Sequence, residues 1–282
     1  MRVAGPFARV VLRRLLRPLP LVHTLLLSIE THALCGALAF FAMLGFYPLS
    51  VLLISLAKYV LRSPDAHEVV RLAVQSYYPA GQEFVLRNLE ASSWQFRGEI
   101  SISLALWIFL GGAGIFIPLE MAFNRLWGFA VHRAYWHNQL VGLLLTAACW
   151  AIAVVLVLGV SQVPRLLRAP ALWLAVLLLT AVALFLAYRL LPHGPVPGGI
   201  ALGAAALTAG AGEVVRWVFL LVLPWLDLSR SHGPFQVSVS FLLFAYVEAY
   251  VLLAGAFLAA EATREQQAPR EGVKSVEVGE VG

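Results

Sequence analysis

Long apolar runs alternate with short polar breaks along this chain of 282 residues. The breaks carry Pro, Gly or charge, which are typical of turns. A helix needs about 20 apolar residues to cross a hydrocarbon core roughly 30 Å thick, and it satisfies its own backbone polar groups there. The pattern therefore predicts an all-α polytopic membrane protein. Six transmembrane helices are expected, at residues 32–60, 99–121, 139–161, 171–191, 199–223 and 235–260.

The N-terminal segment, residues 1–31, combines arginines with apolar residues at helical spacing. Arg9, Arg13 and Arg17 recur every four residues, with leucine, valine and phenylalanine around them. This pattern predicts a basic amphipathic helix lying on the membrane surface. A cleaved signal peptide is the competing interpretation, but two prolines interrupt the run and no clean cleavage site follows it. The simplest role for these arginines is a positive-inside anchor.

Two polar segments complete the domain organisation. The first loop, residues 62–98, contains two stretches with helical spacing of apolar residues, 67–79 and 82–96. They predict two short amphipathic helices outside the membrane, which either pack on the helix ends or cover a cavity. The tail, residues 262–282, is polar and aperiodic and predicts a disordered cytoplasmic segment. Residues 32–261 remain as the transmembrane domain.

Composition and charge support this architecture. Charged residues make up 12% of the chain, about half the level typical of soluble domains. The net charge of +5 sets orientation and meets anionic lipid headgroups. With the N-terminus inside, eleven Lys and Arg residues lie inside and eight outside, so both termini are predicted to be cytoplasmic. Cys35 and Cys149 lie in apolar runs and are interpreted as small buried hydrophobes.

Two ionisable residues interrupt the fifth predicted span. Glu213 and Arg216 are three residues apart, so they share a helix face and can form a pair. Ionisable residues at membrane depth usually face the bundle interior or a water-filled cavity. The pair either fixes helix packing or forms the polar floor of a cavity that binds a headgroup or an ion. With Glu120 as a further neighbour, Tyr246 and Glu248 complete the predicted intramembrane polar site.

Polar residues at the inner ends of the spans suggest a second site. Asn124, Arg125, Arg133 and Arg189 either snorkel to the interface as anchors or form an inner basic rim for an anionic headgroup. The fifth span also carries small residues at spacings near four, which predict close helix packing. The alternative is a helix that bends or slides during transport. These small residues are Gly199, Gly203, Ala206, Gly210 and Gly212.

Several stretches of the chain resemble, in order, the YihY/BrkB-like family of bacterial cytoplasmic-membrane proteins. The resemblance covers roughly residues 5–262 and depends on the ordered set of stretches rather than on one motif. The stretches are GALAFFAMLGFYPLSVLL with Pro48, LEMAFNRLWG with Asn124, Arg125 and Trp127, HRAYW, ALFLAYRLLPHGPVP with Tyr188, Arg189 and Pro192, GEVVRWVF with Glu213 and Arg216, and LLFAYVEAYVLLAGAFLAAE with Tyr246, Gly255 and Ala256.

This resemblance implies a six-helix integral membrane protein with a function in the cell envelope, where family members are linked to the handling of lipids or lipopolysaccharide. The chain departs from the family pattern at Gly212, where tryptophan is frequent, and at Phe257, where glutamate is frequent. Glu248 and Glu261 are both nearby, and whether either replaces that glutamate stays open.

The family also carries an old label, ribonuclease BN. A metal-dependent nuclease needs clustered His and Asp ligands, whereas the seven histidines are scattered along the chain. We therefore expect a non-enzymatic protein without metal or cofactor, whose partners are membrane lipids and envelope-complex proteins rather than nucleic acid. The favoured function is transport or translocation of a lipid or other amphiphile. A structural partner of an envelope complex is the alternative, and a membrane-bound ribonuclease is third.

Overall fold

A computed structural model of the chain describes residues 6–16, 28–77, 82–95, 114–129 and 135–277. These residues form helices joined by short turns, and no strand occurs among them, which confirms the all-α class. The α-helices of the described residues are α1 (Pro6–Leu16), α2 (Ile29–Ser55), α3 (Pro64–Tyr77), α4 (Gln82–Gln95), α5 (Phe116–Trp127), α6 (Tyr135–Ser161), α7 (Arg165–Leu190), α8 (Gly198–Val222), α9 (Leu228–His232) and α10 (Gln236–Glu277).

Five of the described helices are long and apolar enough to cross a membrane, and they correspond to five of the six predicted spans. The remaining predicted span, 99–121, lies mostly outside the described residues, which resume at 114. A π-helical turn, Leu56–Val60, extends α2 to the predicted end of the first span. The five segments are Ile29–Val60, Gln139–Ser161, Arg165–Leu190, Gly198–Leu226 and Gln236–Gln267.

The centre of the bundle is a junction of three helices, in which α10 packs along α8 and α8 packs along α7. The Tyr188 hydroxyl of α7 donates to the Leu252 carbonyl of α10 at 2.9 Å and lies 3.1 Å from Thr208 Oγ1 of α8, whose hydroxyl can donate to it. A Cβ on Gly255 would collide with Thr208 Oγ1 and the Tyr188 hydroxyl. The absence of a side chain at Gly255 therefore permits the close approach of the three helices.

The small residues of α8 pack differently from the prediction. The buried positions are Ala201, Ala204, Ala205, Thr208 and Ala209, whereas Gly199, Ala206 and Gly210 are exposed. The spacing was read correctly as helical, but the face turned toward α7 and α10 is the alanine face. Of the predicted set, Gly203 meets Phe7 of α1, and Gly212 meets α10.

Two helices occupy the loop between the first two predicted spans, where two short helices were expected. α3 buries Val69 and Val70, and α4 buries Leu86 and Leu89, against the end of α2. At the start of α7, Arg168 holds α3: its Nη2 donates to Asp65 at 2.6 Å and its Nη1 to Glu68 at 2.8 Å. The Arg168 side chain is 7% exposed, whereas the Asp65 and Glu68 side chains are 50% and 44% exposed, so the attachment is buried on the arginine side only.

The N-terminal helix is docked on the bundle. Arg13 pairs with Glu265 and Arg14 pairs with Glu261, both near the end of the last span. The Glu261 carboxylate, which accepts hydrogen bonds from Arg14, raises the pKa of the Arg14 guanidinium above its ordinary value. Two of the arginines expected to meet lipid are therefore committed to protein carboxylates.

The last helix does not end where the sequence predicted a disordered tail. α10 continues from Gln236 to Glu277, and Ala262 and Thr263 are buried within the bundle. The prediction was wrong about residues that follow 261 because it considered only local polarity. The polar residues of this part of α10 include Glu261 and Glu265, which pair with the arginines of α1.

Candidate functional site

The Glu213–Arg216 pair forms as the three-residue spacing predicted. Glu213 Oε2 accepts hydrogen bonds from Arg216 Nη2 at 2.8 Å and from Arg216 Nε at 3.1 Å. The same oxygen accepts a third hydrogen bond from Trp173 Nε1 of α7 at 3.0 Å. The Arg216 side chain is 9% exposed and the Glu213 side chain is 14% exposed, so the pair is largely buried.

Arg216 also connects α8 to the first outer helix. Its Nη1 donates to the carbonyl of Ser76, in the last turn of α3, at 3.1 Å. The guanidinium lies 4.9 Å from the centre of the Trp217 ring, within the range of a cation–π contact. Trp173 follows the start of α7 at Arg165 by eight residues, or about 12 Å along the helix axis. The pair is therefore within reach of an outer helix and not isolated at mid-bundle.

Glu248 of α10 is the second carboxylate of this site. Its Oε2 lies 2.9 Å from the point where a Cβ on Gly212 would stand. The other oxygen, Oε1, is buried and has no hydrogen-bond partner among the described residues. Glu213 and Arg216 both act on Glu248 electrostatically, the first by repulsion and the second by attraction. The absence of a side chain at Gly212 therefore creates the space that the Glu248 carboxylate fills.

Tyr246 does not join the other three predicted residues. Its hydroxyl lies 3.0 Å from His32 Nδ1 of α2 and 3.1 Å from the Tyr250 hydroxyl. Positions 246 and 248 are two apart on one helix, so their side chains point to nearly opposite faces. The sequence placed the four residues at similar depth and could not resolve which neighbour each would face.

A cavity of about 310 Å³ adjoins the charged pair. It lies between α7 and α8 beside the last turn of α3, with Arg216 and Ser76 among its lining residues and tryptophan and leucine side chains as apolar walls. Trp173 and Trp217 are 42% and 56% exposed, so the cavity opens at the surface of the bundle. Its lining residues are Ser76, Ala169, Leu172, Trp173, Arg216, Trp217 and Leu220.

Three residues of the predicted inner basic rim lie in the described part of the chain, and each contacts a different partner. Asn124 is fully buried, and its Oδ1 accepts a hydrogen bond from the His193 backbone N–H at 3.1 Å. Arg125 pairs with Glu30 at the start of α2, and Arg189 Nη1 donates to the Val196 carbonyl at 3.3 Å.

The fourth predicted member of the rim, Arg133, lies outside the described residues. The Asn124 prediction misread a helix-end residue as a surface one. α5 runs on to Trp127 and ends at Gly128, whose φ of 81° is a left-handed cap. That extension buries Asn124 against the turn that follows α7.

Two contacts in and near this site were not predicted from the sequence. Trp173, which donates the third hydrogen bond to Glu213, was not identified from the sequence, although an indole N–H inside a membrane needs an acceptor. Arg168 was counted only as an outer positive charge, although its place at the beginning of a span beside an acidic loop was a usable signal. Among the described residues, no group of three His, Cys, Asp or Glu side chains is placed to hold a metal ion.

Comparison with known proteins agrees with the sequence resemblance. A UPF0761 membrane protein of Rhodospirillum rubrum is 25% identical over 285 aligned positions, which cover 96% of this chain and 62% of the relative. The chain thus spans less than two thirds of that relative's length. No solved structure matches the chain. The model of the family described as Virulence factor BrkB matches residues 27–278, nearly the whole chain, and the protein therefore belongs to the BrkB family of membrane proteins.

Proposed function

We propose that this protein binds a lipid or another amphiphile within the bacterial cytoplasmic membrane and translocates it, without catalysing a reaction. The observation that carries the proposal is the cavity between α7 and α8. Its walls are apolar, its lining includes Arg216, and its rim is exposed at the surface of the bundle. A site of this kind matches a molecule with an acyl chain and a polar headgroup.

The lining residues suggest how such a molecule would lie. An acyl chain would pack against Leu172, Trp217 and Leu220, while the headgroup would approach Arg216. Tryptophans are common where membrane proteins meet the lipid headgroups, because the ring is apolar and the N–H is polar. The basic guanidinium favours an anionic headgroup.

The same proposal assigns an orientation. Arg14 pairs with Glu261, and Arg264 Nη2 donates to the Leu126 carbonyl at 2.7 Å, so α1 and the ends of α5 and α10 lie on one side of the bundle. We assign that side to the cytoplasm because the arginine-rich N-terminus is there. The cavity would then open in the outer leaflet.

Lipid identification tests the proposed function directly. The protein is purified gently in nanodiscs, and co-purified lipids are quantified by mass spectrometry. Trp217→Ala should lower the amount of anionic lipid per protein several-fold, because it removes one wall of the cavity. Trp225→Ala is the matched control, since Trp225 is 88% exposed and does not line the cavity. Equal lipid loading in the two variants would contradict a lipid site in this cavity.

A structural role in an envelope complex is the second candidate. It is favoured by the tight junction at Gly255 and by the complete pairing of Glu213 with Arg216 and Trp173. Under this role the cavity would hold no preferred lipid, and partner proteins would co-purify in amounts that do not depend on Trp217.

A further inference from the structure

Glu248 takes no part in the Glu213–Arg216 pair, and one of its carboxylate oxygens has no hydrogen-bond partner among the described residues. Its Oε1 is buried without a hydrogen-bond partner in the described part of the chain, and its Oε2 lies against Gly212. An ionised carboxylate in such a place is costly, because no hydrogen-bond donor of the described residues compensates the buried Oε1 for its lost hydration. A bound proton removes that cost.

The nearby cation is Arg216, which forms its ion pair with Glu213 rather than with Glu248. Arg216 donates twice to Glu213 and once to the Ser76 carbonyl. With both carboxylates ionised, Glu213, Arg216 and Glu248 carry a net charge of −1, whereas protonation of Glu248 makes the group neutral. The charge of this group thus depends on one proton.

In the part of the chain that the structure describes, the other titratable groups beside α10 contact partners other than Glu248. On the α2 side, His32 and Cys35 lie near Tyr246 and Tyr250. Toward the inner end, Glu261 comes thirteen residues after Glu248, about 20 Å along the axis, and it pairs with Arg14 of α1. From α8, Glu213 and Arg216 face Glu248.

We propose that Glu248 is a proton-binding site, and that its protonation is coupled to the binding of an anionic headgroup at Arg216. The inference rests on the proposed function. Uptake of one proton converts the carboxylate of Glu248 to a carboxylic acid, with no other bond formed or broken. The proton offsets the negative charge that an anionic headgroup brings to the site. Because coupling between two sites is reciprocal, the bound headgroup also favours the protonated form.

Infrared spectroscopy tests the proton site without any added lipid. Difference spectra between acidic and alkaline pH should contain the carbonyl stretch of a protonated, non-hydrogen-bonded carboxylic acid. Glu248→Gln should remove this band, whereas Glu265→Gln, a change in the ion pair with Arg13 on the same helix, should keep it. If Glu248→Gln does not fold, Glu248→Asp should keep the band at a shifted frequency. A band unchanged by substitution at Glu248, or the absence of such a band, would overturn the proposal.

Fluorescence quenching tests the coupling. Brominated phosphatidylglycerol and brominated phosphatidylcholine are compared as quenchers of protein tryptophan fluorescence across pH. Preference for phosphatidylglycerol should rise as the pH falls, by at most about tenfold per pH unit for one linked proton. In Glu248→Gln the preference should not vary with pH. A pH-dependent preference that survives this substitution would refute the coupling.

The two measurements separate the proposals. Loss of the infrared band in Glu248→Gln, with no phosphatidylglycerol preference at any pH, would overturn both the coupling and the anionic headgroup assigned to the cavity. The proton site alone would survive. A preference that does not change with pH, together with no band, would uphold the lipid site and reject the role of Glu248.

Discussion

At the scale of single residues, the charged pair of α8 is open to a sharp test of stability. Arg216→Met leaves Glu213 buried with one remaining donor from Trp173. Loss of one partner of a buried pair costs about 3–5 kcal/mol, whereas replacement of both costs much less. The double variant Glu213→Gln, Arg216→Met should therefore melt well above the Arg216→Met variant in nanodiscs.

A second pair provides the control. Asp227 and Arg230 are also three residues apart, but the Arg230 side chain is 89% exposed. Arg230→Met should leave the melting temperature almost unchanged. Additive effects of the two substitutions in the buried pair would contradict the pairing. If the double variant recovers stability but not its bound anionic lipid, the pair lines a binding site; recovery of both identifies a packing role.

Residue-level prediction from the sequence had a clear physical limit. The three-residue spacing of Glu213 and Arg216 fixes their contact, because both lie on one helix. The partners from other helices depend on how each helix is rotated, and hydropathy carries no such information when a helix is apolar all round. Tyr246 was therefore grouped wrongly with Glu248, and Trp173 was missed.

At the scale of helices, the junction at Gly255 predicts a strong response to one methyl group. Gly255→Ala should destabilise the protein by about 1–3 kcal/mol, as overpacking of a tight core does, because the new Cβ meets Thr208 and Tyr188. Thermal melting measures the change, and adding Thr208→Ala should recover part of it. Gly210→Ala is the control, since nothing lies within 4 Å of a Cβ there. Similar losses in the two alanine variants would contradict the close packing.

The outer helices should respond to acid through His67 of α3. Burial lowers the pKa of His67 below its ordinary value, and the opposing attraction of Glu90 is weaker. The folded state therefore binds fewer protons than the unfolded state, so the stability contributed by His67 is present above about pH 6.5 and is lost as the pH falls through the lowered pKa. Hydrogen exchange of α3 should accelerate on acidification, more in the parent protein than in His67→Gln. Equal acceleration in the two would assign the effect to other groups.

At the scale of the whole molecule, the proposed orientation can be read with reporters. A reporter active only outside the cytoplasm should be silent when fused after residue 265 and active when inserted between α3 and α4. This outcome follows from the arginines of α1 remaining inside. An active fusion after residue 265 would reverse the assigned orientation, and with it the leaflet on which the cavity opens.

Five of the six predicted spans were accessible from hydropathy, because the membrane demands long apolar helices whatever the neighbours are. Helix ends were less accessible. α10 runs past 261 because its polar turn meets Arg13 and Arg14 of α1, a contact between the two ends of the chain that no local pattern contains.

The outer helix α3 is fastened at both ends by arginines from different spans. Arg168 of α7 binds Asp65 and Glu68 in its first turns, and Arg216 of α8 binds the Ser76 carbonyl in its last turn. α3 therefore connects α7 to α8 beside the cavity that lies between these two helices. If α7 and α8 spread to admit a large molecule, either the ion pairs of Arg168 or the hydrogen bond of Arg216 to Ser76 must break. The contact at Ser76 is the weaker of the two, since it is a single hydrogen bond to a neutral acceptor. α3 would therefore separate from α8 first and stay attached to α7 through Arg168.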